Sequence, residues 1–428
     1  MTSVQFDRAD DDGGSAPAGN ASYRRNFGLL VGEAGIFMAG LAFFDSATVY
    51  PLLLARLGAS DALIGASRFV QVLGFTLPAL FAAHRIHGRA THKGFLLKTC
   101  AVARVGLFTI PIALLLLARE SPTTALAWVF GMTTVFWVMD GACAVSWFDI
   151  VAKTIPARIR GRFFGAMQAT AGALAICAGL LVHQILRSPQ LPYPANFALL
   201  SMLWFVGAMG SQLGLWLIEE PHGQGLPSDE RWGLRAYLGQ TIPLLNRSPR
   251  LRALILTRVL LDGAGLAAPF YVLFAQRDLG VSLHMAGIYT IAQNAGRVAT
   301  GPVWGWVSDR AGSSAAVTAI SICVLATPLA ALAATGATPW VLVIVFVLMG
   351  AVMDGVWMVM STAILATVDS ADRPLAVGVA SVCQTPSALY GPLGGLLAGL
   401  TSYRVVFGTA AAMALAGVVM SLRIRRAV

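Results

Sequence analysis

The chain has 428 residues, of which 57% are hydrophobic and only 12% charged, about half the charged fraction of an ordinary soluble domain. A water-soluble fold of this length has no interior large enough for so much apolar surface, so the composition excludes a globular cytosolic enzyme and indicates a bilayer. The formal net charge of +10 would suggest nucleic acid in a soluble protein, but in a membrane chain basic residues collect in cytoplasmic loops and set orientation.

Residues 1–26 open with MTSVQFDRADDDGGSAPAGN, which is acidic, rich in small residues and without an apolar h-region, and they read as a disordered cytosolic tail. Six apolar windows follow, near 27–54, 62–83, 95–118, 125–148, 163–186 and 195–218. A polar segment over 219–252 reads as a central cytoplasmic loop. Six more windows lie near 253–275, 283–307, 315–334, 340–366, 375–400 and 405–422, and 423–428 form a second tail. A helix needs about 20 apolar residues to cross the hydrocarbon, and backbone at that depth must satisfy its own hydrogen bonds. The expectation is therefore an all-α integral membrane protein of twelve transmembrane helices, arranged as six-helix bundles over 27–218 and 253–422.

With both termini in the cytoplasm, 20 of the 30 Lys and Arg fall in cytoplasmic segments, five on the opposite side and five inside the windows. That bias predicts the orientation. The two halves also repeat. Gly58, Gly65, Gln71 and Gly74 return 222 residues later as Gly280, Gly287, Gln293 and Gly296, and Asp140-Gly141 returns as Asp354-Gly355. Parallel six-helix repeats of this kind occur in transporters that bind their solute between the repeats.

The five cysteines (Cys100, Cys143, Cys177, Cys323 and Cys383) all lie in apolar windows without paired spacing, so they predict neither a disulfide framework nor a zinc site. The histidines are scattered, and the trio His84, His87 and His92 is a weak metal signal. There is no phosphate-binding Gly-x-x-x-x-Gly-Lys-Ser/Thr loop. No metal and no cofactor are expected.

The sharpest motif is Gly305-Trp-Val-Ser-Asp309-Arg310-Ala-Gly312, after the eighth window. With six plus six helices and a long central loop, it resembles the major facilitator superfamily, in a bacterial branch of unassigned substrate. That family repeats Gly-x-x-x-Asp-Arg/Lys-x-Gly after helices two and eight. The first copy here is degenerate: residues 83–89 keep Arg89 and a glycine but lack the Asp. The resemblance implies a cytoplasmic gate of Gly305, Asp309, Arg310 and Gly312, joined by Asp149, Arg160, Arg85 and Arg373. The efflux-antiporter glycine–proline pattern of helix five is missing. A truncated echo, Gly391-Pro392-Leu-Gly394-Gly395, sits in helix eleven and reads as close packing.

Charged groups at membrane depth cost roughly 2.5–3.5 kcal/mol or more and so mark candidate function. Near the midplane lie Asp45, Arg68, Arg104, Asp140, Arg258, Asp262, Arg297 and Asp354, with Glu33 closer to the inner surface. The resemblance implies a cavity lined by helices one, four, seven and ten, each of which carries one of the four acids. Asp45 or Asp140 with Arg104 is the expected proton-coupling pair. Arg258 and Asp262, four residues apart, are placed to neutralise each other. Arg68 and Arg297 serve either an anionic solute group or the carboxylates. Gln71, Gln293, Trp137 and Trp357 complete the candidate site.

Together these features predict a secondary transporter of a small polar solute working by alternating access, with protons as a candidate coupling ion. The expected location is the bacterial inner membrane, as a monomer with no nucleic-acid partner. Export of a drug or metabolite by antiport is the alternative. A membrane enzyme or a sensor is disfavoured, for lack of a catalytic cluster or of long structured loops.

Overall fold

The computed structural model describes residues 20–86, 91–221, 245, 247–368 and 373–426. Most of the expected first tail, most of the central loop and the end of the degenerate first motif lie outside them. Every regular element among the described residues is helical. Span one is α1 (Asn20–Phe43) followed by α2 (Val49–Arg56). Spans two to six are α3 (Asp61–Ile86), α4 (Lys93–Leu117), α5 (Pro122–Thr154), α6 (Arg160–Arg187) and α7 (Ala195–Leu217). Span seven is α8 (Pro249–Leu261), a 3-10 turn (Asp262–Leu266) and α9 (Phe270–Arg277). Spans eight and nine are α10 (Met285–Ala311) and α11 (Ser313–Ala333). Span ten is α12 (Val341–Met353) and α13 (Gly355–Leu365). Span eleven is α14 (Arg373–Gln384), a 3-10 turn (Thr385–Leu389) and α15 (Tyr390–Leu400), and span twelve is α16 (Tyr403–Arg426).

Among the described residues, ten helical stretches are long and apolar enough to cross a bilayer on their own. Spans eight and eleven complete the twelve. Span eight carries Gln293, Asn294 and Arg297 at mid-depth, and span eleven is interrupted. Both pack against the opposite bundle, which keeps polar or irregular backbone away from lipid. Several helices outrun the apolar windows. The first begins at Asn20, inside the expected tail. Arg25 donates to Glu219 (2.7 Å) and to the Leu217 carbonyl (2.7 Å), anchoring span one to the end of span six. An apolar window measures hydrocarbon, and a helix runs on into water wherever its end is held.

The breaks within spans have local causes. In span one, Asp45 Oδ1 accepts from the Ala47 amide (2.9 Å) and the Thr48 hydroxyl (3.1 Å), so its side chain competes with the helical ladder. Gly263, Gly265 and Pro269 loosen span seven, Asp354-Gly355 interrupts span ten, and Pro386 interrupts span eleven.

Twelve crossings bring residues 20 and 426 to the same side, called here the terminal face, with the distal face opposite. Spans one to six form one bundle and seven to twelve the other. The bundles meet along span two against span eleven and span five against span eight. These seams explain the 222-residue repeat. Gly58 (φ +85°) and Gly280 (φ +67°) make the equivalent distal turns after spans one and seven. Gly65 and Gly287 occupy the two seams, where an added Cβ would collide with the Gly391 carbonyl and with the His183 amide, respectively.

At the terminal face, Glu220 accepts from the amides of His92 (2.9 Å) and Lys93 (2.8 Å), so a carboxylate caps the open N-terminus of α4. The outer surface exposes Phe81, Val105, Leu116 and Leu400, as contact with lipid tails requires. The chain is a multi-pass membrane protein.

Candidate functional site

A cavity of about 880 Å³ lies between the bundles, within the range of small-molecule sites. Span two contributes Arg68, Val72, Leu73, Thr76 and Leu77. Span seven contributes Arg258, Asp262 and Tyr271, span eight Gln293, and spans nine to eleven Val324, Val356, Ser387 and Gly391 among others. Its lining on span two begins just beyond the Gly65–Gly391 approach and runs toward the terminal face.

The distal side is closed by contacts across the seam. Arg277 at the end of span seven donates to Asp61 at the start of span two (2.8 Å) and to the Tyr403 hydroxyl (2.5 Å). Tyr403 in turn donates to Asp61 (3.1 Å). The Thr48 and Thr290 hydroxyls meet at 2.8 Å, and His183 Nδ1 lies 2.9 Å from the His284 carbonyl. Among the described residues no ion pair joins the bundles at the terminal face.

The intramembrane charges separate into three groups. In the cavity wall, Arg258 Nε donates to Asp262 Oδ1 (2.9 Å) and Ser387 Oγ to Asp262 Oδ2 (3.3 Å). Arg68 donates to Gln71 (2.5 Å) and lies in the electrostatic range of Asp45 and Asp262. Asp45 stands just behind the wall formed by Ser46 and Ala47. Its Oδ2 accepts from Gln293 Nε2 (3.5 Å), a contact between the bundles. At the seam of spans five and eight, Arg297 pairs with Asp354, which also accepts from Gln168 of the opposite bundle (3.2 Å).

The third group is confined to the first bundle. Arg104 is 3% exposed. It donates to the Ala208 and Cys100 carbonyls (both 3.3 Å) and stands near the Phe37 ring (5.9 Å). Its electrostatic neighbours are Glu33 and Asp140. The Glu33 carboxylate accepts from Ser211 (2.8 Å) and Trp147 (3.2 Å), and the Cys100 and Cys143 sulfurs meet at 3.0 Å.

Several expected associations are therefore redistributed. Of the four acids expected to line one cavity, only Asp262 does so directly. Asp45 belongs with Arg68 and Gln293 rather than with Arg104, because the break in span one turns its carboxylate toward the seam. Asp140 belongs with Arg104 and Glu33, and Asp354 with Arg297 at the second seam. Trp137 packs on Phe136 (5.1 Å) and Trp357 is 68% exposed, and neither is among the described residues that line the cavity. Sequence reasoning set Glu33 aside for its depth. It also missed the distal Asp61, Arg277 and Tyr403, which look like ordinary loop-proximal residues.

At the terminal face, Gly312 (φ +83°) makes the turn between spans eight and nine, while Gly305 lies within α10. Asp309 is exposed without an ion pair among the described residues, and Arg310 stands over Trp306 (5.1 Å). Asp149 pairs with His92 (2.7 Å) and Lys153 (2.7 Å). Arg160 donates to the carbonyls of Ile155 (3.1 Å) and Ala152 (2.8 Å), closing the end of span four. The side chains of Arg85 and Arg373 lie outside the described residues, as do those of His84 and His87. His92, Asp149 and Glu220 bring ligand-type atoms within 4.8 Å of one another. The Lys153 ammonium stands among them, 2.7 Å from Asp149 and 3.1 Å from Glu220, so a side chain already supplies the balancing charge.

Residues 253–427 match the family profile described as Major Facilitator Superfamily. No curated protein sequence matches the chain. Solved structures share its fold at low identity. A mutant form of the nucleoside transporter NupG is 14% identical with a TM-score of 0.70, the match covering 93% of this chain and 99% of that one. A bacterial homologue of the iron transporter ferroportin, in its inward-facing state, is 14% identical with a TM-score of 0.68, covering 94% and 98%. A D-xylose–proton symporter is 14% identical with a TM-score of 0.63, covering 94% and 95%.

Proposed function

We propose that this chain, a member of the major facilitator superfamily, is a secondary transporter that moves a small solute across the bacterial inner membrane by alternating access, represented here in its inward-facing state. The observation that carries this reading is the 880 Å³ cavity between two bundles, closed distally by Asp61, Arg277 and Tyr403. The terminal face is assigned to the cytoplasm from the Lys and Arg bias. The cavity is complete within one chain, which supports a monomer as the working unit.

Rocking of the bundles about the glycine seams opens the distal side and closes the terminal side. Asp309, Arg310 and Asp149, with Arg85 and Arg373, are the groups assigned to latch the terminal face in that second state. The exposure of Asp309 and the local pairing of Asp149 fit an open gate. Asp45 is the assigned proton site. It sits at a helix break beside Arg68 and touches span eight of the other bundle through Gln293, so bundle movement changes its surroundings. The fold neighbour that is a proton symporter supports coupling of this kind.

Reconstitution into vesicles tests the reading. The wild type should exchange a bound solute across the membrane and concentrate it under an imposed pH gradient, while Asp45→Asn should keep exchange and lose concentration. A solute that binds yet is never exchanged sinks the transporter assignment. Undiminished concentration by Asp45→Asn removes that residue from coupling.

A further inference from the structure

We propose that the transported solute is an organic anion with a carboxylate head and an apolar body, held by Arg68 as its anchor. The inference rests on the transporter reading above and adds the chemistry of its cargo.

The charged wall of the cavity is unevenly satisfied. Asp262, the one carboxylate among the described lining residues, already accepts from Arg258 and Ser387. Asp45, behind the wall, accepts from Ala47, Thr48 and Gln293. A guanidinium has five N–H donors. Among the described residues Arg68 donates only to Gln71 and has no carboxylate within ion-pair distance. Such a group facing a partly apolar cavity calls for an anionic acceptor, and a carboxylate matches its fork.

A second observation points the same way. Tyr271 lines the same cavity and is 1% exposed, and its buried hydroxyl has no hydrogen-bond partner among the described residues. It is a further donor for a bound oxygen. An ammonium, by contrast, would find no unpaired acid in the described wall, which argues against a cationic or zwitterionic solute. Much of the remaining lining is Val72, Leu73, Leu77, Val324, Val352 and Val356, an apolar surface suited to an aryl or alkyl body.

The position of Arg68 is built into the seam, since its Cβ packs where a side chain on Gly391 would stand. The groups facing it are Asp45 from span one, Gln71 from its own span and Asp262 from span seven, which also interacts with Arg258 and Tyr390. Asp45 and the bound carboxylate therefore compete for one cation. Neutralising Asp45 strengthens anion binding, which is the sign required for moving a proton and the anion together.

Four probes of similar shape decide the matter in the purified full chain: 3-phenylpropionate, 3-phenylpropanol, 3-phenylpropylamine and phenylalanine. Binding is read by calorimetry and by thermal stabilisation. The expected result is binding of 3-phenylpropionate alone, weakened roughly tenfold or more in Arg68→Gln. In Asp45→Asn it should tighten several-fold, a gain that misfolding cannot produce. Equal or tighter binding of the alcohol, amine or zwitterion, no binding of the acid, or an unchanged affinity in either variant overturns the proposal. Vesicle exchange separates the two claims. An acid that binds through Arg68 but is not exchanged refutes transport while leaving the anion site, whereas exchange that ignores Arg68 refutes the anchor while leaving transport.

Discussion

Arg277 and Asp61 meet at 2.8 Å across the distal seam, joining the end of span seven to the start of span two, with the Tyr403 hydroxyl bonded to both. Part of this cluster is open to water, with the Arg277 side chain 40% exposed, so one such pair is worth about 1 kcal/mol or less. A change of that size still moves a two-state balance roughly fivefold. Asp61→Ala should therefore shift the protein toward its distal-open state. Spin labels at Glu120 and Ala337, on distal turns of opposite bundles, would report a longer-distance population. An unchanged distance distribution would show that the cluster does not hold the distal side.

The glycine seam gives a sharper steric test. An added Cβ at Gly65 would run into the Gly391 carbonyl, whereas Gly94 has no atom within 4 Å of that position. Gly65→Ala should disfavour the distal-closed state by about 1–3 kcal/mol, the usual range for overpacking. Gly94→Ala should leave the same distances alone. Equal behaviour of the two variants would mean that the seam relaxes freely.

Composition, the window count and the apolar spacing make the twelve-span architecture legible, because each follows from transfer into hydrocarbon. The repeat of Gly65 and Gly287 is also visible in the sequence, although its meaning as the two inter-bundle seams needs coordinates. The site is legible in part. Burial cost alone marks Arg68, Arg258, Asp262 and Asp45, and the spacing of four between Arg258 and Asp262 puts them on one helix face, where they stand at 2.9 Å. Depth along a helix does not give azimuth, so it cannot tell that Asp140 and Arg104 face the interior of the first bundle. The distal cluster leaves no trace, since Asp61 and Tyr403 lie 342 residues apart and look like ordinary helix ends.

A pH dependence follows at the distal end of the second seam. The rings of His183 and His284 stand edge to face at 4.9 Å, joining spans five and eight. His284, in the turn before span eight, is held below the ordinary histidine range, first by partial burial and then by the nearby His183 and Arg187. A depressed value means that the packed form prefers the neutral ring. The contact is thus fully supported above the ordinary histidine value of about 6.5 and is lost as pH falls through the lower value of the packed state. The distal-open population should rise as pH is lowered from about 8 to about 5 in the wild type, and rise less in His284→Asn. Identical pH profiles would remove His284 from the balance.

The Arg258–Asp262 pair yields the last prediction, and its logic is that of a buried charge losing its partner. Both side chains are largely enclosed, and Asp262 keeps only the Ser387 hydroxyl when Arg258 is removed. Breaking one side of such a pair costs about 3 kcal/mol or more, while removing both charges costs much less. Arg258→Gln should therefore lower the thermal midpoint by several degrees, and the double variant Arg258→Gln with Asp262→Asn should recover most of that loss. The single variant has a further consequence for the site. An unpaired Asp262 is drawn to Arg68, the remaining cation in the described wall, and occupies the donors assigned to the solute. Binding of 3-phenylpropionate should then weaken in Arg258→Gln and return in the double variant. If the double variant is no more stable than the single one and binds no better, Arg258 acts on its own and the pairing carries neither effect.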